Sequence, residues 1–290
     1  MTTSSNAPAV SGALHRESAC PMHRLFSIRD RDSRSAIDKP FSAAGIALFA
    51  YGALAYGAFL GAILYAIGFV GNWLVPKSID SGAAAPFMEA LIVNGGILVL
   101  FVVQHTIMAR KWFKAWWTRI IPPSIERSTF VLAASAILGL LFWQWRPLPQ
   151  VIWQVDHAAL AMGLQALSLV GWATVLIASF MVSHFDLFGL RQVWFRLAGR
   201  PYRPVGFRLV GLYRLVRHPL MVGFLIAFWA TPVMTAGHLM FALLTTGYIF
   251  FGVWIEERGL MAEHPEEYGA YRRRVRGFIP LPVARNERKP

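Results

Sequence analysis

The chain has 290 residues, of which 56% are hydrophobic and only 15% are charged, and its formal net charge is +13. Soluble domains carry about 25% charged residues, so the composition excludes an ordinary soluble protein and favours a helical membrane protein. An excess of basic over acidic residues is also typical of nucleic-acid-binding proteins. Here, however, the Lys and Arg residues lie beside apolar runs, where basic flanks contact anionic lipid and set topology. We therefore expect a lipid bilayer as partner and no nucleic acid.

The first forty residues are polar and basic and contain no apolar run. A signal peptide needs an apolar segment near its start, and none is present. We predict that residues 1–40 form a flexible, basic arm on the cytosolic side. Cys20 is the single cysteine, so no internal disulfide can form. The histidines lack ligand spacing, so we predict no metal site.

Six apolar runs follow, and about 20 apolar residues are needed to cross a bilayer as a helix. The run from Phe41 to Leu74 is longer than this, which indicates one tilted helix or a helix with an interfacial extension. The last two runs are separated by Thr235-Ala236-Gly237, which predicts a tight turn within a helical hairpin. The other runs lie at about 87–108, 129–145 and 158–183, and the hairpin comprises 219–235 and 238–255.

These runs predict an all-α, polytopic transmembrane helical bundle with six crossings, or five if the hairpin only dips into the membrane. We expect four transmembrane helices in residues 41–183. Residues 184–290 would then contain a cytosolic loop, the hairpin and a tail helix, with the tail forming a C-terminal cytosolic cap over a cofactor.

The basic residues of the loops predict the orientation, because Lys and Arg accumulate in cytosolic loops. The loops near Lys77 and Arg146 have almost no net charge, whereas the loops after the second and fourth runs are strongly basic. Both termini are therefore expected in the cytosol, which agrees with six crossings. The basic residues of these two loops are Arg110, Lys111, Lys114, Arg119 and Arg127, and then Arg191, Arg196, Arg200, Arg203, Arg208, Arg214 and Arg217.

The segment from Tyr213 to Pro219 leads directly into the fifth run. Proline suits the first turn of a helix, and the free N–H groups there form a positive end that holds anions. Arg217 and His218 add donors at the same point, so the segment is a candidate anion-binding site. Taken alone, these residues also suit a plain helix start with arginines that extend to the lipid headgroups.

Glu256 and Glu257 lie at the end of the sixth run. Carboxylates at a helix C-terminus face the negative end of the helix dipole, and carboxylates at the edge of a membrane are costly unless they are paired. The pattern therefore implies a cationic partner, either an arginine of the basic loop or a positively charged ligand.

A short tail helix is predicted from His264 to Val275, because it has acidic residues in its first turn and arginines in its last. Tyr268, Tyr271 and Val275 recur with helical spacing and form one aromatic-apolar face. Taken alone, this segment suits an amphipathic helix at the membrane interface.

In this order and spacing, the three segments resemble the superfamily of isoprenylcysteine carboxyl methyltransferases and phospholipid methyltransferases. The resemblance covers about residues 205–282. It implies that these segments fold over S-adenosylmethionine on the cytosolic side of the hairpin. The candidate cofactor-binding residues that it implies are Tyr213, Arg217, His218, Pro219, Glu256, Glu257, Tyr268, Tyr271 and Arg272.

A more specific resemblance, over about residues 95–282, is to the methanethiol S-methyltransferase family. It rests on five segments, namely Gln104–Arg110, Glu126–Thr129, Phe142–Pro149, His184–Trp194 and Phe228–Pro232. It implies methyl transfer from S-adenosylmethionine to methanethiol, releasing dimethyl sulfide, and a place in a bacterial cytoplasmic membrane. The alternatives are methylation of a lipid amine or a prenylcysteine carboxylate, or a non-enzymatic membrane protein of the NnrU-like relatives.

Methylation of a thiol requires a thiolate, and a simple alkyl thiol is mostly protonated at neutral pH, so a base would help. We predict that His184 and Asp186 act as base and orienter, with Arg191 in the same catalytic group. The aromatic rings of Phe185 and Trp194 would form a dry pocket for the thiol. Gln104 and His105 are further candidate substrate contacts.

Overall fold

The computed structural model describes residues 39–83, 85–205 and 210–280. The predicted arm at 1–40 therefore lies almost entirely outside the described residues, as do Ala84, residues 206–209 and residues 281–290. Within the described ranges the chain is helical apart from one small sheet. Its helices are α1 (Ala43–Gly71), α2 (Phe87–Met108), α3 (Lys111–Trp117), α4 (Glu126–Gln144), α5 (Ala158–Val182), α6 (His184–Leu187), α7 (Leu190–Leu197), α8 (Pro219–Trp229), α9 (Ala236–Glu263) and α10 (Pro265–Arg274).

Five helices of the described chain, α1, α2, α4, α5 and α9, are long and apolar enough to cross a membrane. Helix α1 is continuous over 29 residues, or about 43 Å, so the first apolar run is one helix. Its start is capped by Ser42, whose side chain accepts a hydrogen bond from the Gly45 amide, and its end by Asn72 in a left-handed conformation. Large apolar side chains along these helices are exposed, as expected of surfaces that face lipid.

The fifth crossing differs from the continuous helix that the apolar run 219–235 predicts. Helix α8 has 11 residues and is about 16 Å long, roughly half a bilayer core. The chain then continues without helix through Ala230–Pro232 into strand β2 (Val233–Thr235). Proline at 232 lacks the N–H that a continuing helix would need. Strand β2 pairs antiparallel with β1 (Val151–Gln154), which lies between α4 and α5.

The pairing of β1 with β2 shows how the chain crosses the bundle. Strand β1 follows the C-terminal end of α4, and β2 pairs with it. The chain has therefore passed from one end of the bundle, at the start of α8, to the opposite end, at β2. A short helix and an extended segment together form the fifth pass. Thr235 then caps α9, accepting a hydrogen bond from the His238 amide at 3.1 Å, which makes the predicted tight turn.

Close packing of α8 against α5 holds this short helix in place. A Cβ atom at Gly171 would come within 2.6 Å of the Ala227 amide nitrogen, and one at Gly223 within 2.7 Å of the Gly171 carbonyl oxygen. Glycine is required at both positions because the two backbones are in contact, as is common between membrane helices. The hydroxyl of Ser168 also donates to the Ala227 carbonyl at 2.9 Å.

The two ends of the bundle have different chemistry. The sheet end comprises residues 72–83, 85–86, 145–157 and 230–235. Beside it lies an apolar core that includes Phe69, Trp145 and Phe241. The basic end comprises residues 109–125, 183–205, 210–218 and 264–280. The Phe41 amide donates to the Leu197 carbonyl at 2.8 Å, so the start of α1 also lies at the basic end. Both termini of the described chain are therefore on the same side of the bundle.

Candidate active site

Glu257 is the centre of a charged cluster at the basic end. Its Oε1 atom accepts from Arg217 Nη2 at 2.7 Å, from Arg217 Nε at 2.9 Å and lies 3.0 Å from His218 Nε2. Its Oε2 atom lies 3.6 Å from Arg272 Nε. The side chains of Glu257 and Arg217 are only 12% and 11% exposed, so the pair is largely shielded from water. The cation that the position of Glu257 requires is thus supplied by the basic loop and the tail.

The tail of the chain is attached to the start of α8 by backbone contacts. Val216 and Arg276 form a parallel β-bridge. The Arg217 amide donates to the Arg276 carbonyl at 2.8 Å, and the His218 amide donates to the Gly277 carbonyl at 3.1 Å. The guanidinium of Arg217 therefore projects from a backbone that is held on both sides, which fixes its position against the carboxylate.

Helix α10 packs on the end of α9 through its aromatic face. Tyr268 and Tyr271 form a buried cluster with Leu260. The Tyr271 hydroxyl donates to the Tyr213 carbonyl at 2.8 Å, so α10 also contacts the segment before α8. Burial, together with the negative charge of Glu257, raises the pKa of Tyr268, which stays protonated at neutral pH.

Glu256 precedes Glu257 on α9 and has a different environment. Its Oε2 atom lies 3.9 Å from Nδ1 of His218, a distance too long for a hydrogen bond. Pro219, at the first position of α8, is buried beside His218. The structure thus brings the predicted cofactor-binding residues to one place, from three separate segments. They are Tyr213, Arg217, His218, Pro219, Glu256, Glu257, Tyr268, Tyr271 and Arg272.

His184 lies elsewhere, in an aromatic cage between α1 and α5. Its ring stacks on Phe180 with centroids 4.2 Å apart. Nε2 is 2.8 Å from the Tyr56 hydroxyl and Nδ1 is 2.8 Å from Ser179 Oγ, which itself donates to the Leu176 carbonyl. These contacts fit one arrangement, in which Tyr56 donates to Nε2 and Nδ1 donates to Ser179. Burial lowers the pKa of His184, so the ring is neutral at neutral pH with both nitrogens engaged.

Asp186, the predicted orienter of His184, makes its hydrogen bonds to other residues. Its Oδ1 atom accepts from the Tyr202 hydroxyl at 2.7 Å and from Arg191 Nη1 at 3.4 Å. The Asp186 side chain is fully buried, and the charge of Arg127 also acts on it. Asp186 and Arg191 therefore belong to a network that attaches the loop after α5 to the start of α4.

Phe185 and Trp194, the rings predicted to form a dry pocket for the thiol, are both exposed. Phe185 borders the His184 cage and is 48% exposed. Trp194 contacts Phe49 on α1, with centroids 5.9 Å apart, and is 49% exposed. The two rings thus lie on the outside of the bundle rather than around one enclosed space.

Gln104 and His105 lie inside the bundle, near the end of α2. The His105 ring stacks on Phe101 at 5.1 Å, packs on Phe130 of α4 at 4.6 Å and meets Tyr248 of α9 at 6.2 Å, between centroids. Gln104 Nε2 contacts Met108 Sδ at 3.1 Å. Nδ1 of His105 and Oε1 of Gln104 are buried without a hydrogen-bond partner among the described residues. We call Phe101, Gln104, His105, Phe130 and Tyr248 the α2–α9 cluster.

Several residues of these sites are absent from the sequence-based prediction. Tyr56 and Tyr248 lie within apolar runs, where the sequence gives no sign of which ring contacts a histidine. Phe278, which lies 5.8 Å from His218 and 5.0 Å from Phe250 between ring centroids, follows the predicted tail helix. No group of three or more His, Cys, Asp or Glu side chains in the described ranges could hold a metal ion.

Comparison with known proteins shows close relatives. The chain is 55% identical to the methanethiol S-methyltransferase of Mycobacterium tuberculosis over 232 residues, which cover 80% of this chain and 95% of the relative. It is 52% identical to methanethiol S-methyltransferase 1 of Bradyrhizobium diazoefficiens over 258 residues, covering 89% and 88% of the two chains.

A more distant likeness, at 28% identity over 173 residues, is to nurim of Sus scrofa and covers 57% of this chain and 66% of nurim. No family model and no solved structure matches the chain.

Proposed function

The chain belongs to the methanethiol S-methyltransferase family, and on that premise we propose that it methylates methanethiol with S-adenosylmethionine at the cytosolic face of the membrane. The products are dimethyl sulfide and S-adenosylhomocysteine. The observation that carries the proposal is the convergence of three segments, around 217–219, 256–257 and 268–278, on the Glu257 cluster.

The residues of the Glu257 cluster fit the charges of S-adenosylmethionine. The donor carries a carboxylate, an ammonium and a sulfonium group, so its site needs both signs of charge. Arg272 has a side chain that is 53% exposed and can turn from Glu257 toward a ligand carboxylate. The first amides of α8 are a second site for an anion. Glu256, whose distance to His218 exceeds a hydrogen bond, is available to a cationic group of the donor.

The bound donor supplies a methyl group on a positively charged sulfur, and the protein positions and shields it. Phe278 lies between His218 and Phe250 and forms an aromatic wall beside the charged cluster. Exclusion of water strengthens the electrostatic interactions of the site and keeps the reactants in contact. The β-bridge between Val216 and Arg276 keeps this wall over the start of α8.

The cytosolic orientation rests on the positive-inside rule. The Glu257 cluster lies at the basic end, together with the two Arg-rich loops. Arg208, one of the predicted loop arginines, lies outside the described residues. Both ends of the described chain lie on this side of the bundle. We therefore infer that the protein lies in a cytoplasmic membrane with its N- and C-termini on the cytosolic side.

The test is a headspace assay with the full chain in lipid nanodiscs. Purified protein is given S-adenosylmethionine and methanethiol, and dimethyl sulfide is measured by gas chromatography. Parallel reactions offer a phosphatidylethanolamine vesicle and a prenylated cysteine as acceptors, and titration with S-adenosylhomocysteine measures donor-site binding. We expect dimethyl sulfide and saturable binding. Methyl incorporation into lipid or the prenylated cysteine without dimethyl sulfide would refute the acceptor, and absence of binding would refute the donor site.

A further inference from the structure

We propose that the α2–α9 cluster is the thiol site and that Nδ1 of His105 accepts the thiol proton. This inference rests on the proposed function, because it names where that reaction takes its acceptor. The site is separate from the aromatic cage of His184. It lies inside the bundle, between α2, α4 and α9.

Two unpartnered polar atoms indicate a ligand in this cluster. His105 Nδ1 and Gln104 Oε1 are buried, and each lacks a hydrogen-bond partner among the described residues. Buried polar groups are nearly always hydrogen-bonded, so these two atoms call for a polar partner from outside the chain. With its proton on Nε2, His105 is an acceptor at Nδ1. The S–H group of a thiol is such a donor, and its methyl group needs no polar contact.

The aromatic rings around His105 suit contact with a small apolar thiol. The rings of Phe101, Phe130 and Tyr248 meet the His105 ring from three helices. Sulfur packs favourably near aromatic rings. The Tyr248 hydroxyl is hydrogen-bonded to Thr106, which ties α9 to α2 beside the histidine.

The charges around His105 favour an anion. Arg127 of α4 lies over the Phe130 ring, 4.9 Å from its centroid, and Arg110 donates from Nε to the Thr106 carbonyl at 3.1 Å. Tyr248 is the titratable group that α9 presents to the ring. Two guanidinium groups near a buried site lower the free energy of a thiolate relative to a neutral thiol. The same charges disfavour protonated His105, which therefore releases the added proton readily once the product has formed.

Helix α9 connects the α2–α9 cluster to the Glu257 cluster. Tyr248 and Glu256 are separated by about 12 Å along the helix axis. At about 100° per residue, Glu257 points away from Tyr248, whereas Glu256 points about 80° from it. Glu256 thus shares the helix face of the buried residues Ile249 and Val253, between the two clusters. A donor held by Glu256 and Glu257 can therefore present its methyl group on the side of His105.

The reaction balances with these groups alone. The thiol S–H proton passes to His105 Nδ1 while Nε2 keeps its own proton. A lone pair of the thiol sulfur forms a bond to the methyl carbon of the donor. The electron pair of the breaking C–S bond stays on the donor sulfur, which becomes a neutral thioether. His105 then releases the added proton to water after the product departs.

The test compares His105→Gln with the wild type, and with His157→Gln as a matched control. His157 is exposed at the sheet end, far from both clusters, and its substitution should change nothing. His105→Gln should bind S-adenosylhomocysteine normally but lower kcat about 100-fold at neutral pH, the usual effect of losing a general base. Raising the pH supplies thiolate from solution, so the ratio of wild-type to variant kcat should shrink roughly tenfold between about pH 7 and pH 9.

Two results would overturn the inference. The first is a His105→Gln protein with wild-type kcat. The second is a ratio of wild-type to variant kcat that stays constant with pH, because a structural defect does not respond to the concentration of thiolate in solution. If His105→Gln fails to bind S-adenosylhomocysteine through misfolding, Gln104→Leu decides instead. It should raise KM for methanethiol about tenfold, the effect of losing one hydrogen bond in the site, and an unchanged KM refutes the thiol site. Wild-type protein that binds S-adenosylhomocysteine but forms no dimethyl sulfide would refute the proposed function rather than this inference alone.

Discussion

Two histidines of this protein lie among aromatic rings, and they differ in what their nitrogens contact. His184 is held by Tyr56 on one side and Ser179 on the other, so its ring joins α1 to α5. His105 has a buried Nδ1 without a partner in the described chain, and it packs against the helix that carries Glu256 and Glu257. An aromatic environment therefore does not identify a catalytic histidine. The hydrogen-bond partners of each nitrogen separate the structural ring from the candidate base.

We expect the largest effect, a loss of ligand affinity, at the Glu257 cluster. Of the two histidines, His105 is the one that packs against α9, the helix that carries Glu257. Glu257→Gln removes the charge that faces Arg217, His218 and Arg272. Glu257 holds Arg217 and Arg272 in the proposed donor site, and a hydrogen bond to a charged group is worth about 1.5–3 kcal/mol. Affinity for S-adenosylhomocysteine should therefore fall by about 10- to 100-fold in calorimetric titration. Glu266→Gln, at an exposed position of α10, is the control. Equal affinity in the two variants would remove Glu257 from the donor site.

The next effect concerns the buried network beside His184. Asp186→Asn keeps an acceptor for Tyr202 but removes the negative charge near Arg191 and Arg127. We expect the free energy of unfolding to fall by about 3 kcal/mol, measured by thermal unfolding in detergent. The pH dependence of kcat should stay that of the wild type, because Asp186 does not contact the base. A changed pH profile with unchanged stability would return Asp186 to the mechanism.

A smaller loss of stability is expected from His184→Phe. The ring stacking on Phe180 is retained, but the hydrogen bonds to Tyr56 and Ser179 are lost. Each is worth about 1 kcal/mol, so the free energy of unfolding should fall by about 2 kcal/mol. Phe180→Leu serves as the opposite control, since it keeps the hydrogen bonds and removes the stacked ring. A His184→Phe protein as stable as the wild type would show that the two hydrogen bonds do not hold α1 to α5.

The smallest effect is the response of the His184 cage to acid. Because burial lowers the pKa of His184, the unfolded chain binds this proton at a higher pH than the folded chain does. Stability is therefore fully present above the ordinary histidine pKa of about 6.5 and decreases as the pH falls below it, by at most about 1.4 kcal/mol per pH unit. Thermal unfolding from about pH 7.5 to 5.5 should show this slope in the wild type and a weaker slope in His184→Phe. Equal slopes would mean that folding does not lower the pKa of His184.

Hydropathy predicted most of the helices because membrane-crossing segments must be apolar throughout. The run at 87–108 coincides with α2, and 158–183 differs from α5 by one residue. The same pattern could not predict where α8 ends. Pro232 indicates that a helix cannot continue. Only the pairing of Val233–Thr235 with Val151–Gln154, distant in sequence, makes the segment a strand.

Arguments from the helix dipole and from charge predicted a cationic partner for Glu256 and Glu257, and Arg217 is that partner for Glu257. The prediction needs no tertiary information, because two carboxylates at a helix C-terminus near the membrane require a cation from some part of the chain or from a ligand. The absence of contact between His184 and Asp186 has a geometric reason. The two residues lie on one short helix and are two positions apart, so their side chains point in nearly opposite directions. The partners of His105 on α4 and α9 come from distant parts of the sequence, and no local pattern marks them.

The most direct test of the account compares kcat of His105→Gln and His184→Gln in one assay, per molecule that binds S-adenosylhomocysteine. Dimethyl sulfide formation at neutral pH is measured for both variants in nanodiscs. The account predicts a loss of about 100-fold for His105→Gln, as expected when a general base is removed. For His184→Gln we expect kcat within about threefold of the wild type, because the His184 ring contacts neither the Glu257 cluster nor the α2–α9 cluster. The reverse order, with His184→Gln inactive and His105→Gln active, would contradict it.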